Sequence, residues 1–193
     1  MFNSRNKGSA GEREVAKLLE SWWSVLEPGV KFVKTPLSGG WGTPTLRSEF
    51  KTSGDLVTTA KSFPFTIEVK RREAWTLERL LLGSKSPVWG WWKQANAQAV
   101  EMSSTPLLWI RKNRHDWRIL LPWQLVPTLR SAGFDKPIHE WAPWTLEPHE
   151  LPMEPVMVMA SDFLELPPSI FATSKKSGKK PRKERTHGTA EIE

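Results

Sequence analysis

The sequence predicts an α/β fold in which a central mixed β-sheet is flanked by helices. Three observations carry this. An amphipathic helix spans 9–26, further helical stretches lie at 76–83 and 86–102, and five strand-length apolar segments (30–34, 55–59, 64–71, 106–112 and 117–121) are spread among them. A chain of 193 residues with 38% hydrophobic content supports one core with appendages. The expected organisation is a core over 1–134, an extension packed on it over 135–172, and a basic disordered tail over 173–193.

In SAGEREVAKLLESWWSVL, residues 9–26, Val15, Leu18, Leu19, Trp22, Trp23 and Leu26 recur at the spacing of one apolar face. Ser9 with Glu12 matches a capping box, which predicts a helix start at Ser9. At about 100° per residue, Glu12 shares the face of Val15, Ala16, Leu19 and Trp23, whereas Glu14 points nearly the opposite way. VKFVK at 30–34 alternates as a first strand, and a long loop rich in Gly, Pro, Ser and Thr follows it. Loops of this length inside a compact domain are usually functional or mobile. DLVTT then leads into FPFTIEVKR, and the two are expected to pair as a hairpin.

TLERLLLG reads as a short helix, and SPVWGWWKQANAQAVEM as a longer one with Ser86 at the N-cap and Pro87 in the first helical position. PLLWIRKN and WRILLP are predicted to form a hairpin through RHD. WQLVPTLRSAGF has helical character interrupted by Pro127. VMVMA suggests a last strand and SDFLEL a capped turn.

The formal net charge is +7, which favours an acidic partner such as nucleic acid. Much of it sits in TSKKSGKKPRKERTHGTAEIE at 173–193, where seven Lys or Arg face three Glu. That segment carries no large apolar residue before Ile192, and is expected to be disordered alone and to bind phosphates without sequence preference. Cysteine is absent, which excludes disulfides and thiolate metal sites and fits a reducing cytoplasm. No apolar run approaches membrane-spanning length, so no membrane partner is expected.

The chemistry concentrates in FTIEVKRRE. In this strand Phe65, Ile67 and Val69 share one face, and Thr66, Glu68 and Lys70 the other, so two charges lie on one side of a core strand. Asp55 opens the preceding strand, and Glu12 looks inward from the first helix. Two or three carboxylates suffice for a hard ion such as Mg²⁺, which keeps several waters and takes phosphate oxygen as a further ligand. Such an ion polarises a phosphoryl group and lowers the pKa of a water, while a neighbouring lysine orients that water or steadies developing charge. The pattern points to phosphodiester hydrolysis.

GEREVAKLLE, SGDLVT and FTIEVKR, in that order, resemble the PD-(D/E)XK nuclease superfamily, and the helical E-R-E resembles that of archaeal-type Holliday junction resolvases and their phage relatives. The resemblance covers about residues 7–121 and implies a restriction-endonuclease-like core. It implies that Glu12 is the helix glutamate, that Asp55 and Glu68 bind metal together with the Val69 carbonyl, and that Lys70 is the signature lysine. Gly54 stands where the superfamily name has proline. A loop serine is matched by Ser38, with Ser53 as rival, and a helix glutamine by Gln94. The implied cofactor is Mg²⁺ or Mn²⁺, the implied partner branched DNA, and the implied assembly a homodimer, since paired cuts across a junction suit two-fold symmetry. For a phage-encoded chain the compartment would be the host cytoplasm.

Expected DNA contacts are Arg13, Lys34, Trp41, Arg71, Arg72 and Lys93, with Trp41 in the Gly-rich loop placed to touch a base or wedge into a distorted duplex. Trp22, Trp23, Trp109 and Trp117 fall in periodic apolar patterns and read as core, whereas Trp89, Trp91 and Trp92 cover both sides of their helix. Two other readings stand beside the junction nuclease. One is a nuclease of the same fold that prefers flaps, single strands or duplex; the other is a DNA-binding protein without activity.

Overall fold

The computed structural model describes residues 4–35, 51–81, 86–140 and 153–172. Helix α1 runs Ser4–Trp23, followed by strands β1 (Phe32–Lys34), β2 (Lys51–Ser53), β3 (Leu56–Thr58) and β4 (Phe65–Arg71). Then come α2 (Leu77–Leu81), α3 (Pro87–Glu101), β5 (Thr105–Arg111), β6 (Arg118–Pro122), α4 (Val126–Ser131), β7 (Pro155–Met159) and α5 (Ala160–Glu165). The α/β class and mixed sheet expected from the sequence are both present.

The main sheet has the order β4-β5-β6-β7; β4 and β5 are parallel, and the other two pairings are antiparallel. A second, antiparallel sheet has the order β1-β3-β2. A parallel bridge between Gly54 and Ile67 links the two sheets. Segments 55–59 and 64–71 therefore do not form the expected hairpin. β3 is held on both sides by β1 and β2, while the crossover through α2 and α3 gives β4 its parallel partner β5. β2 also falls inside what the sequence suggested was continuous loop.

Period-2 alternation divides the hydrophobic residues between two layers. Phe65, Ile67 and Val69 of β4, with Leu107 and Trp109 of β5, pack with Val15, Leu19, Trp22 and Trp23 of α1. Leu108, Ile110, Leu120 and Met157 pack on the opposite side with Trp75, Leu80, Val88 and Trp92. The four tryptophans read as core are buried, while Trp92 buries its ring and donates to Met153 O at 2.8 Å.

α1 starts at Ser4, ahead of the expected cap, so Ser9 lies inside the helix and its hydroxyl accepts from Arg13 Nη1 at 3.1 Å. Ser86 caps α3 as expected, accepting from Val88 N–H at 3.4 Å. Pro127 does not break its helix, because it falls in the first turn of α4, where a missing N–H removes no intrahelical bond.

The segment after 153 is built into the core. β7 is the last strand of the main sheet, and of SDFLEL, expected as a capped turn, residues 161–165 belong to helix α5, with Leu166 as its extended C-cap. Trp22 Nε1 donates to Leu166 O at 2.8 Å, and Phe163 and Phe171 pack against the Trp22 ring at 5.4 and 5.9 Å between centroids. No helix among the described residues is long and apolar enough to cross a membrane.

Candidate active site

Asp55 reaches β4 through an unusual backbone. Gly54 adopts φ +72, a region that costs little only for glycine, and a Cβ there would stand 2.4 Å from Ile67 O. This lets the chain press directly on the open edge of β4. Asp55 N–H donates to Ile67 O at 2.8 Å, and Asp55 Oδ2 accepts from Val69 N–H at 2.9 Å. Proline, fixed near φ −65, could not adopt this conformation, so the departure from the superfamily's name residue follows from local geometry.

Backbone parity completes the edge. Thr105 N–H donates to Pro64 O, and Arg72 N–H donates to Arg111 O, so the even-numbered residues of β4 bond to β5. The odd-numbered residues turn their backbone groups to the other edge, which puts the Val69 carbonyl on the side of Asp55.

Glu68 is fully buried on the α3 side of the sheet. Its Oε1 pairs with Lys70 Nζ, while its Oε2 has no hydrogen-bond partner among the described residues. Burial pushes the Glu68 carboxyl above its usual range, and the neighbouring Asp55 charge adds to this, against Lys70 and a weaker contribution from Gln98. Asp55 is also raised, first by burial, with the Val69 amide and Lys70 opposing. Two carboxylates thus share a site with a negative-charge excess that a cation would neutralise. The orphaned Glu68 oxygen, the Asp55 carboxylate and the open Val69 carbonyl form an all-oxygen donor set suited to a hard divalent ion.

Glu12 approaches from the other layer. It lies on α1 with Oε2 at 2.7 Å from Lys34 Nζ, and both charges act on Asp55. Glu12 therefore neighbours the Asp55–Glu68 pair, but among the described residues no three acidic or histidine side chains converge as a ready-made metal cluster.

The remaining candidates divide. Gln94 is exposed on α3; Gln98, one turn further on the same face, is the glutamine that bears on Glu68. Resemblance favoured Gln94, whereas the direction of α3 brings its C-terminal turns beside the first half of β4. The usable signal was the i, i+4 spacing between the two. Arg13, Arg72 and Lys93 are exposed, and Arg71 donates through Nε to Asn113 Oδ1 at 3.1 Å. Ser38 and Trp41 lie outside the described residues, as does the basic tail; of Ser53, only the backbone in β2 is described.

Sequence reading also missed the anchor of α1. Glu14 takes both Nη1 and Nη2 of Arg111 at 2.6 Å and accepts from Trp117 Nε1 at 3.1 Å. The Arg111 guanidinium lies over the Trp117 ring at 4.5 Å, and Gly11 lets α1 approach so that a Cβ there would sit 3.3 Å from that ring. A bidentate pair of this kind fixes orientation as well as adding energy.

A family model described as "Phage putative PDDEXK endonuclease" matches residues 3–166. The chain belongs to that family. The match runs beyond the 7–121 suggested by motif resemblance and takes in β7 and α5, consistent with their place in the sheet and core. As a PDDEXK nuclease, the chain falls in a group that generally uses divalent metals, and the Asp55–Glu68–Lys70 arrangement fits that chemistry. No curated protein and no solved structure matches the chain.

Proposed function

We propose that this chain is a metal-dependent DNA endonuclease that cuts branched DNA, four-way junctions in particular, by paired phosphodiester hydrolysis as a homodimer in the host cytoplasm. The observation that carries the nuclease reading is the clamping of Asp55 onto the edge of β4 beside buried Glu68. The junction preference is supported by the likeness of GEREVAKLLE to resolvase helices and by the net charge of +7.

Asp55, Glu68 and the Val69 carbonyl would hold Mg²⁺ or Mn²⁺, with Glu12 in its outer coordination. A bound ion of this kind supplies electrophilic activation of the phosphodiester and a water of lowered pKa. Lys70 keeps its ammonium at the buried Glu68 carboxylate, from which it can orient the attacking water and steady negative charge on the phosphoryl oxygens. Glu12 holds Lys34 beside the site, so that a cation lies close to where a phosphate enters. Arg13, Arg71, Arg72 and Lys93 would neutralise flanking phosphates, and Ser38, Trp41 and Gln94 would meet the substrate from the loop and helix.

The test is incubation with a labelled immobile four-way junction and a matched linear duplex, in Mg²⁺ or EDTA, beside the Asp55→Asn variant. Metal-dependent paired nicks confined to the junction are expected. Equal cutting of the duplex would remove the junction preference, and binding without cutting would remove the nuclease reading.

A further inference from the structure

The β5–β6 hairpin carries charge that the candidate site does not use. RKNRHDWR at 111–118 supplies Arg111, Lys112, Arg114 and Arg118, and strand register sorts them. Lys70, Ile110 and Arg118 are consecutive partners across β4, β5 and β6, and cross-strand partners project from one face, so Arg118 lies on the side of Glu68 and Lys70. Arg111 falls on the other face, where Glu14 takes it. Lys112 stands two residues beyond Ile110, about 7 Å along the sheet from the row of Lys70. Arg72 carries the β4–β5 ladder past the strand end, its N–H donating to Arg111 O at 3.0 Å.

The hairpin tip is tied to the end of β4. Asn113 N–H donates to Glu73 Oε1 at 2.9 Å, and Asn113 Oδ1 accepts from Arg71 Nε at 3.1 Å. At this tip Arg114 is exposed and adopts φ +61, a left-handed conformation that glycine holds without strain. A turn that served the fold alone would be better made by glycine, so what the position gains from arginine is a long cation held outward. Among the described residues Arg72, Lys112, Arg114 and Arg118 form no ion pair, and the acids of the same segments are only Glu73 and Asp116. The end of the sheet beyond Lys70 is therefore a cationic ridge.

We propose that the β5–β6 hairpin, with Arg72 beside it, is a second DNA contact that holds backbone phosphates of a duplex arm outside the position of cleavage. The identity of the polyanion rests on the nuclease reading above, whereas the surface rests on strand register and on the Arg114 backbone. Phosphates of one strand follow one another at about 3.4 Å of helix axis, so Lys112 reaches a phosphate roughly two nucleotides from the one at Lys70. Arg118 adds a contact two strand spacings across the sheet, about 9–10 Å from Lys70. Contacts of this kind fix the register and orientation of a duplex without reading its sequence. The ridge thus sets how far an arm runs past the acids before it leaves the protein.

The experiment is fluorescence-anisotropy titration of a labelled linear duplex in EDTA over a series of KCl concentrations, followed by cleavage of the same duplex and of a four-way junction in Mg²⁺. Wild type is compared with Arg114→Gly, Lys112→Gln, the double variant and Lys136→Gln. Each single hairpin variant is expected to raise Kd about 5-fold at about 0.15 M KCl and to lower the slope of log Kd against log salt by about 1. The double variant should lower that slope by about 2. Because glycine suits the backbone at 114, Arg114→Gly should melt no lower than wild type, which separates lost binding from lost folding. Lys136→Gln, exposed in the segment that runs to β7 at the far edge of the main sheet, should bind as wild type does. Wild-type affinity and slope in the double variant would overturn the ridge, as would an equal loss in Lys136→Gln. A wild type that shows these slopes but cuts neither DNA would defeat the proposed activity and leave the ridge standing. Absence of binding in EDTA would defeat the ridge, and absence of cutting as well would defeat both.

Discussion

The Asp55 carboxylate accepts the Val69 amide at 2.9 Å, so a side chain from one sheet occupies a hydrogen-bonding position on the edge of another. The same residue's amide bonds to Ile67 O, which fixes Asp55 by main chain and side chain alike. The carboxylate is thereby set beside Glu68, although both acids are raised above their ordinary range by burial. Holding two ionised acids so close in a buried place weakens the fold as pH rises.

Asp55→Asn should show this effect. The asparagine oxygen can still accept the Val69 amide, but the buried charge is gone. Because the folded-state pKa of Asp55 is raised above its ordinary 3.8, ionisation weakens the fold progressively as pH rises through and above that value. The variant should therefore melt higher than wild type near neutral pH in EDTA, each 1 kcal/mol relieved giving about 2–4 °C, while cleavage falls at least about 100-fold. Melting curves at pH 4 and pH 8 check the sign: the advantage should be larger at pH 8.

Lys70→Met removes the partner of a fully buried carboxylate. Loss of one member of such a pair typically costs about 3–5 kcal/mol, and cleavage should be lost as well. Adding Glu68→Gln should restore much of the stability and none of the activity. Urea unfolding of the two single variants and the double variant measures the coupling.

Gly54→Ala forces a Cβ to within 2.4 Å of Ile67 O at a φ that alanine avoids. The bridge to β4 should open, costing at least about 1 kcal/mol and moving Asp55 from its place. Cleavage should drop at saturating metal. An unchanged rate in this variant would show that the tight approach at Gly54 is unnecessary.

Glu27 lies away from the candidate site and holds the turn after β3. Burial would raise its pKa, but hydrogen bonds from the Ser62 side chain and amide, the Lys61 amide and Trp23 outweigh this and lower it from 4.5 to about 2. Its contribution is thus present above about pH 4.5 and is lost as pH falls toward 2. Glu27→Gln should be less stable than wild type at pH 7, with the gap closing in acid, and should leave cleavage unchanged. Chemical denaturation at pH 7 and pH 3 measures the gap, and a cleavage assay of the variant checks the activity.

Much of this was legible because the relevant signals are local. The alternation of Phe65, Ile67 and Val69 against Glu68 and Lys70 gave the strand and its charged side, and the periodicity of Val15, Leu19 and Trp23 gave the face of α1 that looks inward. The β3–β4 hairpin failed because sequence proximity was taken for pairing. A left-handed glycine and a helical crossover decided the pairing instead, and neither is apparent from alternation. Glu14 points away from Glu12 as helix geometry predicts, but its pairing with Arg111, 97 residues distant, leaves no local signal. Gln98 went unnoticed for a similar reason: helix periodicity gives the face, but not which turn of that face lies beside β4.

The joining of Phe163 and Phe171 to Trp22 bears on the order in which the molecule is made. All four residues Glu12, Asp55, Glu68 and Lys70 leave the ribosome long before the aromatic side chains that cover the helix bearing Glu12. A nascent chain carrying the whole acid set would still lack β7 and the α5 contacts that hold that helix down. Settling of the Glu12 helix over the candidate site is therefore tied to synthesis of residues 155–171, well after the acids themselves have been made.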